Sequence, residues 1–339
     1  MATIYDVGKR AGVSVATVSS VINSTSYVSP ELRMRVEEAI RELNYSPNLL
    51  ARGLASQKTQ TLGVLVPDIA NFFFPELVRG VEDKAKEAGY TIILGNSDNQ
   101  LDKEDVYLRL FLSKRVDGIV LIKAPGDLSP QLLQLLNKSG PPVVLLDREY
   151  PDLLTDSVVV DDVGGGYLAT KHLVELGHRR IGIICGIPGV STTTGRLRGY
   201  KKALSEARIK FDPSLVASGD YNTESGYIAG LVLLEQAPTA VFVTNYMMTM
   251  GFLRALSERK LSSPKDISIV SYDDFVWNDI FVPHLTCVTQ PKYSLGYRAA
   301  ETLLSSIRKK HKHPKHVVLE NSLHIRATSI ARSRRTSRT

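Results

Sequence analysis

The stretch Ala11-Gly12-Val13-Ser14-Val15-Ala16-Thr17-Val18-Ser19-Ser20-Val21-Ile22-Asn23 joins a helix stop to a helix start. Gly12 suits the C-cap of a short helix that begins after Thr3, where Thr3 and Asp6 have the spacing of a capping box. Ser14 is a good N-cap for a second helix over residues 15–23. So short a link makes the two helices cross steeply, as in a helix-turn-helix. Val7, Ala11, Val13, Val18, Val21 and Ile22 supply a small shared core. The second helix turns Val15, Ala16, Thr17, Ser19 and Ser20 outward, side chains short enough to approach base edges in a major groove. A third helix starts at Ser29-Pro30, and Leu32, Val36, Ala39, Ile40 and Leu43 recur at helical spacing behind it.

Working outward, Ser46-Pro47 repeats the helix-start signal, and Asn48 to Ala55 offers about two turns. An isolated helix needs roughly 12 to 15 residues, and Gly53 weakens this one further. It is predicted to order only when docked on DNA beside its mate. From Leu62 the pattern changes to strand-like apolar runs alternating with amphipathic helices. The runs are 62–66, 90–94, 118–122 and 143–146, with helices over 75–88 and 104–112. A second set begins near Val158, with strands at 181–184, 240–243, 267–270 and 285–288. Its helices are predicted over 166–176, 195–207, 223–235 and 249–259. Uninterrupted apolar strands are buried on both faces, which means parallel sheets covered by helices. Such sheets take ligands outside the carboxyl ends of their strands, so two facing units trap a small polar ligand between them.

The chain has 339 residues, 43% of them apolar and 23% charged, the balance of a globular protein. The net charge of +7 is unevenly spread: residues 1–60 carry +2, residues 61–307 carry −4 and residues 308–339 carry +9. Charge alone would therefore misplace a DNA site, and local pattern has to decide it. No apolar run approaches the roughly 18 to 20 residues of a membrane span, and no signal peptide is expected. Cys185 and Cys287 are too few for a disulfide scaffold and fit a reducing cytoplasm.

Ile4-Tyr5-Asp6-Val7, Ala11-Gly12-Val13-Ser14, Thr17-Val18-Ser19, Val21-Ile22-Asn23, Val28-Ser29 and Asn44-Tyr45-Ser46-Pro47-Asn48 together resemble the DNA-binding headpiece of the lactose repressor and galactose repressor family. The resemblance implies a homodimer on a palindromic operator. It assigns DNA contact to Thr3, Ser14, Val15, Ala16, Thr17, Ser19, Ser20, Asn23, Tyr45, Asn48, Ala51 and Leu54. Leu54 would wedge into the minor groove at the operator centre and bend it. Ser20 stands where the family usually has Arg, and Gly8 where Ala is usual. On the residues alone, Ser20 reads equally as a solvated helix position.

The resemblance continues through Pro67-Asp68, Asn71-Phe72-Phe73, Leu146-Asp147-Arg148, Arg196-Leu197-Arg198-Gly199-Tyr200, Tyr272-Asp273-Asp274 and Gln290-Pro291. It implies the fold of periplasmic sugar-binding proteins, with Phe72, Phe73, Asp147, Thr192, Arg196, Tyr221, Asn245, Asp273 and Gln290 lining an effector cleft. The chemistry suits a sugar-like effector: aromatic faces stack on rings, and Arg forks onto oxygen. The residues alone also allow Phe72 and Phe73 as core, Asp273 as a turn cap and Arg196 as an ion-pair residue. Val190 stands where the family's purine repressors carry an effector-binding Arg, Tyr246 where Asp is usual, Ser271 where Gly is usual and Asp162 where Asn is usual. These departures argue against a purine ligand set. Trp277 is expected near enough to Asp273 to report ligand closure.

The fold expected is an all-α helix-turn-helix headpiece plus an α/β effector domain of two doubly wound parallel-sheet subdomains. The headpiece is 1–45 and a hinge helix with linker is 46–60. The effector domain is 61–330, divided as 61–160 with 292–320 and 161–290 with 321–330, and 331–339 is a basic, disordered tail. No cofactor, metal site, membrane contact or catalytic constellation is expected. His311, His313 and His316 read as a solvated basic connector, and Gly164-Gly165-Gly166 is no nucleotide loop. The function expected is a cytoplasmic, ligand-responsive repressor. The alternative is a solute receptor of the periplasmic type, which would need an export signal and no headpiece.

Overall fold

A computed structural model describes residues 2–23, 26–45, 58–280, 282–309 and 313–332. Contacts divide the chain into one unit up to Gln60 and another from Thr61. The first holds α1 (Ile4–Ala11), α2 (Val15–Asn23) and α3 (Pro30–Glu42). The capping box forms: Thr3 Oγ1 accepts from the Asp6 N–H, and the Thr3 N–H donates to Asp6 Oδ2 at 2.8 Å. Gly12 takes a left-handed φ of 64° and stops α1. The Ser14 hydroxyl accepts from the Thr17 N–H at 3.1 Å and opens α2. Val7, Ala11, Val18, Val21, Val36 and Ala39 form the core. Arg35 fastens α3 to the turn by donating to the Ala11 carbonyl at 2.6 Å.

The second unit contains two six-stranded sheets. The first comprises β1 (Thr61–Val66), β2 (Thr91–Asn96), β3 (Gly118–Leu121), β4 (Val143–Leu146), β5 (Asp156–Val160) and β11 (His316–Leu319). Its order is β11-β5-β4-β3-β1-β2, parallel throughout. The second comprises β6 (Ile181–Cys185), β7 (Val216–Ser218), β8 (Ala240–Val243), β9 (Ser268–Tyr272), β10 (Thr286–Thr289) and β12 (Ser322–His324). Its order is β12-β10-β9-β8-β6-β7, with β12 alone antiparallel. Alternate residues of the inner strands face opposite layers, so each sheet has a core on both sides.

In the first half, α4 (Phe73–Glu87) and α11 (Lys292–Arg308) cover one face; α5 (Leu101–Ser113) and α6 (Pro130–Lys138) cover the other. In the second, α7 (Asp162–Glu175) and α8 (Ser191–Glu206) oppose α9 (Thr223–Leu234) and α10 (Tyr246–Glu258). Three helix pairs cross with backbones in contact. A Cβ on Gly80 would run into the Tyr293 carbonyl, and one on Gly296 into that of Leu77. Gly166 with Gly199, and Gly226 with Gly251, do the same for α7–α8 and α9–α10. The chain passes between the halves three times: from β5 into α7, from β10 into α11 and from β11 into β12.

Several boundaries differ from the sequence reading. Val158 lies inside β5 of the first sheet, so the second set begins after it. Helix α7 opens at Asp162, not 166, because the Asp161 carboxylate caps it by accepting from the Gly164 N–H. Gly166 gives α8 its close approach at the Arg196 carbonyl, while Gly164 adjoins the Asp161 carboxylate and Gly165 the Tyr272 ring. Likewise α10 opens at Tyr246, capped by Asn245, and α4 at Phe73. The Leu-rich α6 and the strands β7, β11 and β12 went unread.

Candidate functional site

A cavity of about 370 Å³ lies between the carboxyl ends of the two sheets. Its walls are residues that follow strands: Pro67 and Asp68 after β1, Asp98 and Asn99 after β2, Asp147 and Arg148 after β4. Opposite them stand Ile187 after β6, Asp220 and Tyr221 after β7, Asn245 after β8, Asp273 after β9 and Gln290 after β10. Asn71, Phe73 and Phe74 enter from the start of α4, Thr192 and Arg196 from α8. Five of these residues hold left-handed backbones: Asp98 at φ 50°, Asn99 at 56°, Asp147 at 65°, Tyr221 at 72° and Asp273 at 70°. Such conformations persist only where surrounding structure imposes them, and they gather at binding sites.

The second half contributes a fixed cation. The Arg196 guanidinium donates to Asp162 Oδ1 at 2.8 Å and to the Thr244 carbonyl at 2.7 Å, and lies 3.8 Å over the Tyr272 ring. Burial pushes the Asp162 carboxyl up to about 7 against the pull of Arg196. Asp273 is also raised by burial, with Arg196 opposing, and accepts from Gln290 Nε2 at 2.6 Å. Thr192 hydrogen-bonds the Tyr221 hydroxyl at 3.0 Å.

The first half contributes a looser pair. Arg148 donates to Asn99 Oδ1 at 2.8 Å and to the Lys123 carbonyl at 2.9 Å. Its Nε lies 4.0 Å from Asp147, beyond hydrogen-bond reach. Burial raises the Asp147 carboxyl, the two arginines opposing. Arg148 Nε and Gln290 Oε1 are both buried with no protein partner. Both belong to residues of the cavity lining, and each leaves one hydrogen bond unmet. Five lining carboxylates face two guanidiniums, one of them already paired to Asp162, so the cavity disfavours anions.

Eight of the nine expected cleft residues meet in this cavity. Phe72 does not: it is the N-cap residue of α4, its ring is 58% exposed, and it lines a separate apolar groove. Phe73 is both core and cleft wall, Arg196 both ion-pair partner and cleft wall. Trp277 also lies in the apolar groove, away from the cavity, with Ile69, Leu94 and Phe275. Val190 is buried as the N-cap residue of α8 and Ser271 bonds Thr249 inside the core, and neither is among the residues lining the cavity. The sequence reading missed Arg148, Asn71, Phe74, Asp68, Asp98, Asn99, Asp220 and Asn222 as cavity walls. Their position just past an apolar strand, or beside Phe73, was the available signal.

In the N-terminal unit, Thr3, Ser14 and Ala16 are exposed, while Val15, Thr17, Ser19, Ser20 and Tyr45 are half-buried. Tyr45 packs against the three-helix core. The Ser20 hydroxyl accepts from that of Ser26 at 2.8 Å. Asn23 ends α2. Asn48, Ala51 and Leu54, the hinge helix, His311 and most of the basic tail lie outside the described residues. His316 bonds Ser157 across β5 and β11 at 2.8 Å, and no metal-holding cluster occurs among the described residues. No helix among the described residues is long and apolar enough to cross a membrane.

Residues 3–48 match the family model described as bacterial regulatory proteins, lacI family, and residues 170–329 match a periplasmic binding protein-like domain. The chain is 42% identical to an HTH-type transcriptional repressor PurR of Escherichia coli O139:H28, over 98% of this chain and 97% of that one. A solved lac repressor dimer bound to operator and the anti-inducer ONPF aligns at TM-score 0.86 and 30% identity, covering 97% of this chain and 99% of that one. A LacI family transcriptional regulator from Enterococcus faecium with bound ribose aligns at TM-score 0.74 and 32% identity, covering 80% of this chain and all of that one.

Proposed function

The chain belongs to the lacI family of bacterial regulatory proteins, as a ligand-responsive, DNA-binding repressor, and we propose that its effector is a neutral sugar. The observation that carries this reading is the mixed polar lining of one cavity, where Asp147, Asp273, Asn99, Asn245, Arg148 and Arg196 set donors beside acceptors. A sugar hydroxyl accepts and donates at once, which suits such a mixture. Asp147 and Asp273 take further hydroxyl protons, and Phe73 offers a ring wall. The acidic lining weighs against sugar phosphates and sugar acids.

The test is a thermal-shift screen of sugars, sugar acids, sugar phosphates and nucleobases. Ligand at 100 times its dissociation constant adds about 2.7 kcal/mol, a shift of several degrees. A hit confined to neutral sugars supports the reading. A hit among nucleobases or anions overturns it.

On the DNA side the proposed unit is a homodimer working in the cytoplasm. Support comes from the exposed apolar side chains Ile69, Phe72, Leu94 and Trp277 along the groove of the second unit. Residues 1–45 are the proposed headpiece and 46–60 the hinge. Val15, Ala16, Thr17, Ser19, Ser20 and Asn23 of α2 are the proposed base-facing set, flanked by Thr3, Ser14 and Tyr45. Asn48, Ala51 and Leu54 are assigned to the hinge contact by family position. The mechanism is linkage: an effector that prefers one arrangement of the halves shifts DNA affinity, and DNA shifts effector affinity equally.

A further inference from the structure

We propose that Tyr246 is a positioning residue for effector capture, a latch that holds the two halves together across the mouth of the cleft. Tyr246 is the first residue of α10, next to the cleft residue Asn245, and is 3% exposed. Its hydroxyl accepts the Phe72 backbone N–H at 2.7 Å. Phe72 belongs to the first half and Tyr246 to the second, 174 residues apart in the chain. That N–H belongs to a helix N-cap residue with no side-chain cap, and no bond inside α4 uses it. The ring is held as well. The Phe72 ring stands 6.2 Å away and the Phe275 ring 5.6 Å away, both tilted.

A second crossing adjoins the cavity residues Arg148 and Thr192. The Glu149 N–H donates to Ser191 Oγ at 2.9 Å, and Arg148 lies 5.5 Å over the Tyr221 ring. All of these contacts run from protein to protein, so what they contribute does not depend on what fills the cavity. An effector that binds the joined halves then meets a population already in that arrangement, which raises its apparent affinity by the fraction joined. The Asp usual at this position in the family brings no ring to pack against Phe72 and Phe275. The departure thus adds a closing contact and leaves the cavity wall, where Tyr246 does not appear, unchanged.

The inference rests on reading the cavity as an effector cleft, and its test reads the latch with no effector present. Amide exchange at Glu149 in the full-length protein reports separation of the halves at the crossing that Tyr246 does not touch. Tyr246→Phe removes one hydroxyl and keeps the ring. Losing one hydrogen bond of ordinary strength should lower Glu149 protection roughly 2- to 12-fold. Tyr246→Ala should lower it further. If Tyr246→Ala does not fold, the Phe variant carries the test. Unchanged Glu149 protection in Tyr246→Phe overturns the latch, as does a wild-type Glu149 amide exchanging at the unprotected rate. Should the sugar screen be flat while Glu149 protection still falls, the sugar reading fails and the latch stands.

Discussion

The two halves of the second unit share a backbone plan and divide the chemistry. Both run in the strand order second-first-third-fourth-fifth, and both present strand ends to the same cavity. The second half holds its arginine internally, with Arg196 bound by Asp162, Thr244 and the Tyr272 ring, and leaves one acceptor, Gln290 Oε1, without a partner. The first half leaves Arg148 Nε open beside Asp147. It spends its buried ion pair, Lys123 with Glu104 at 2.8 Å, behind the cavity instead of on its wall. Burial raises Glu104 and lowers Lys123, each against its partner's pull. A duplicated scaffold thus separates holding a ligand's frame from meeting its loose ends.

Removing one partner of each buried pair is the hardest strain on that contrast. Arg196→Ala should destabilise the protein by about 3–5 kcal/mol and abolish effector binding, because it strands Asp162 and opens the cavity wall. Glu104→Ala should destabilise by a similar amount while effector affinity changes only a few-fold. Urea unfolding and effector titration read the two effects separately. Equal losses of affinity would erase the distinction between the halves.

The facing carboxylates come next. Asp147→Asn and Asp273→Asn should each weaken sugar binding roughly 10- to 100-fold, the worth of a hydrogen bond to a charged group. Calorimetric titration checks this. A silent Asp147→Asn would mean that only the second half reads the effector. Helix crossings give a smaller effect. Gly80→Ala in the first half and Gly199→Ala in the second each place a methyl against a backbone carbonyl. Each should cost about 1–3 kcal/mol by overpacking, read from the urea midpoint.

The last effect is a pH dependence in the second half. The Asp162 carboxyl sits near 7 in the folded state against an ordinary value of 3.8. Its contribution to stability is therefore full below about 3.8 and lost as pH rises through about 7. His172 and His178 are lowered by burial from 6.5, so theirs is present above 6.5 and lost as pH falls. Both bond the C-terminal segment, at Ser329 and Ile330. Melting scans from about pH 3.5 to 8.5 should show the two effects opposing each other below about pH 7 and little change above it, and Asp162→Asn should remove the falling component alone.

Much of this was legible in the sequence. Apolar runs marked the inner strands because buried parallel strands must be apolar on both faces. Asp147, Asn245, Asp273 and Gln290 each follow such a run, whereas Phe73, Thr192 and Arg196 sit on helices and were named by family position alone. Phe72 was misread because three aromatics, Phe72, Phe73 and Phe74, stand in a row, and only the starting point of α4 decides which faces inward. Helix starts drifted where a cap residue preceded glycines, as at Asp161 and Gly164. The orphan atoms on Arg148 and Gln290 depend on side-chain directions, which no spacing encodes.

The three passages between the halves also bear on how the chain is made. The first sheet takes its last strand, β11, and its covering helix, α11, from beyond residue 290. A ribosome adding about 5–20 residues per second needs roughly 7 to 30 s to get from the end of β5 to the end of α11. Through that interval the apolar face of α4, whose partner is α11, is exposed on the nascent chain. A chaperone that shields such faces should therefore be needed most while the second half is being translated, and a message truncated before α11 should yield aggregate instead of a free first half.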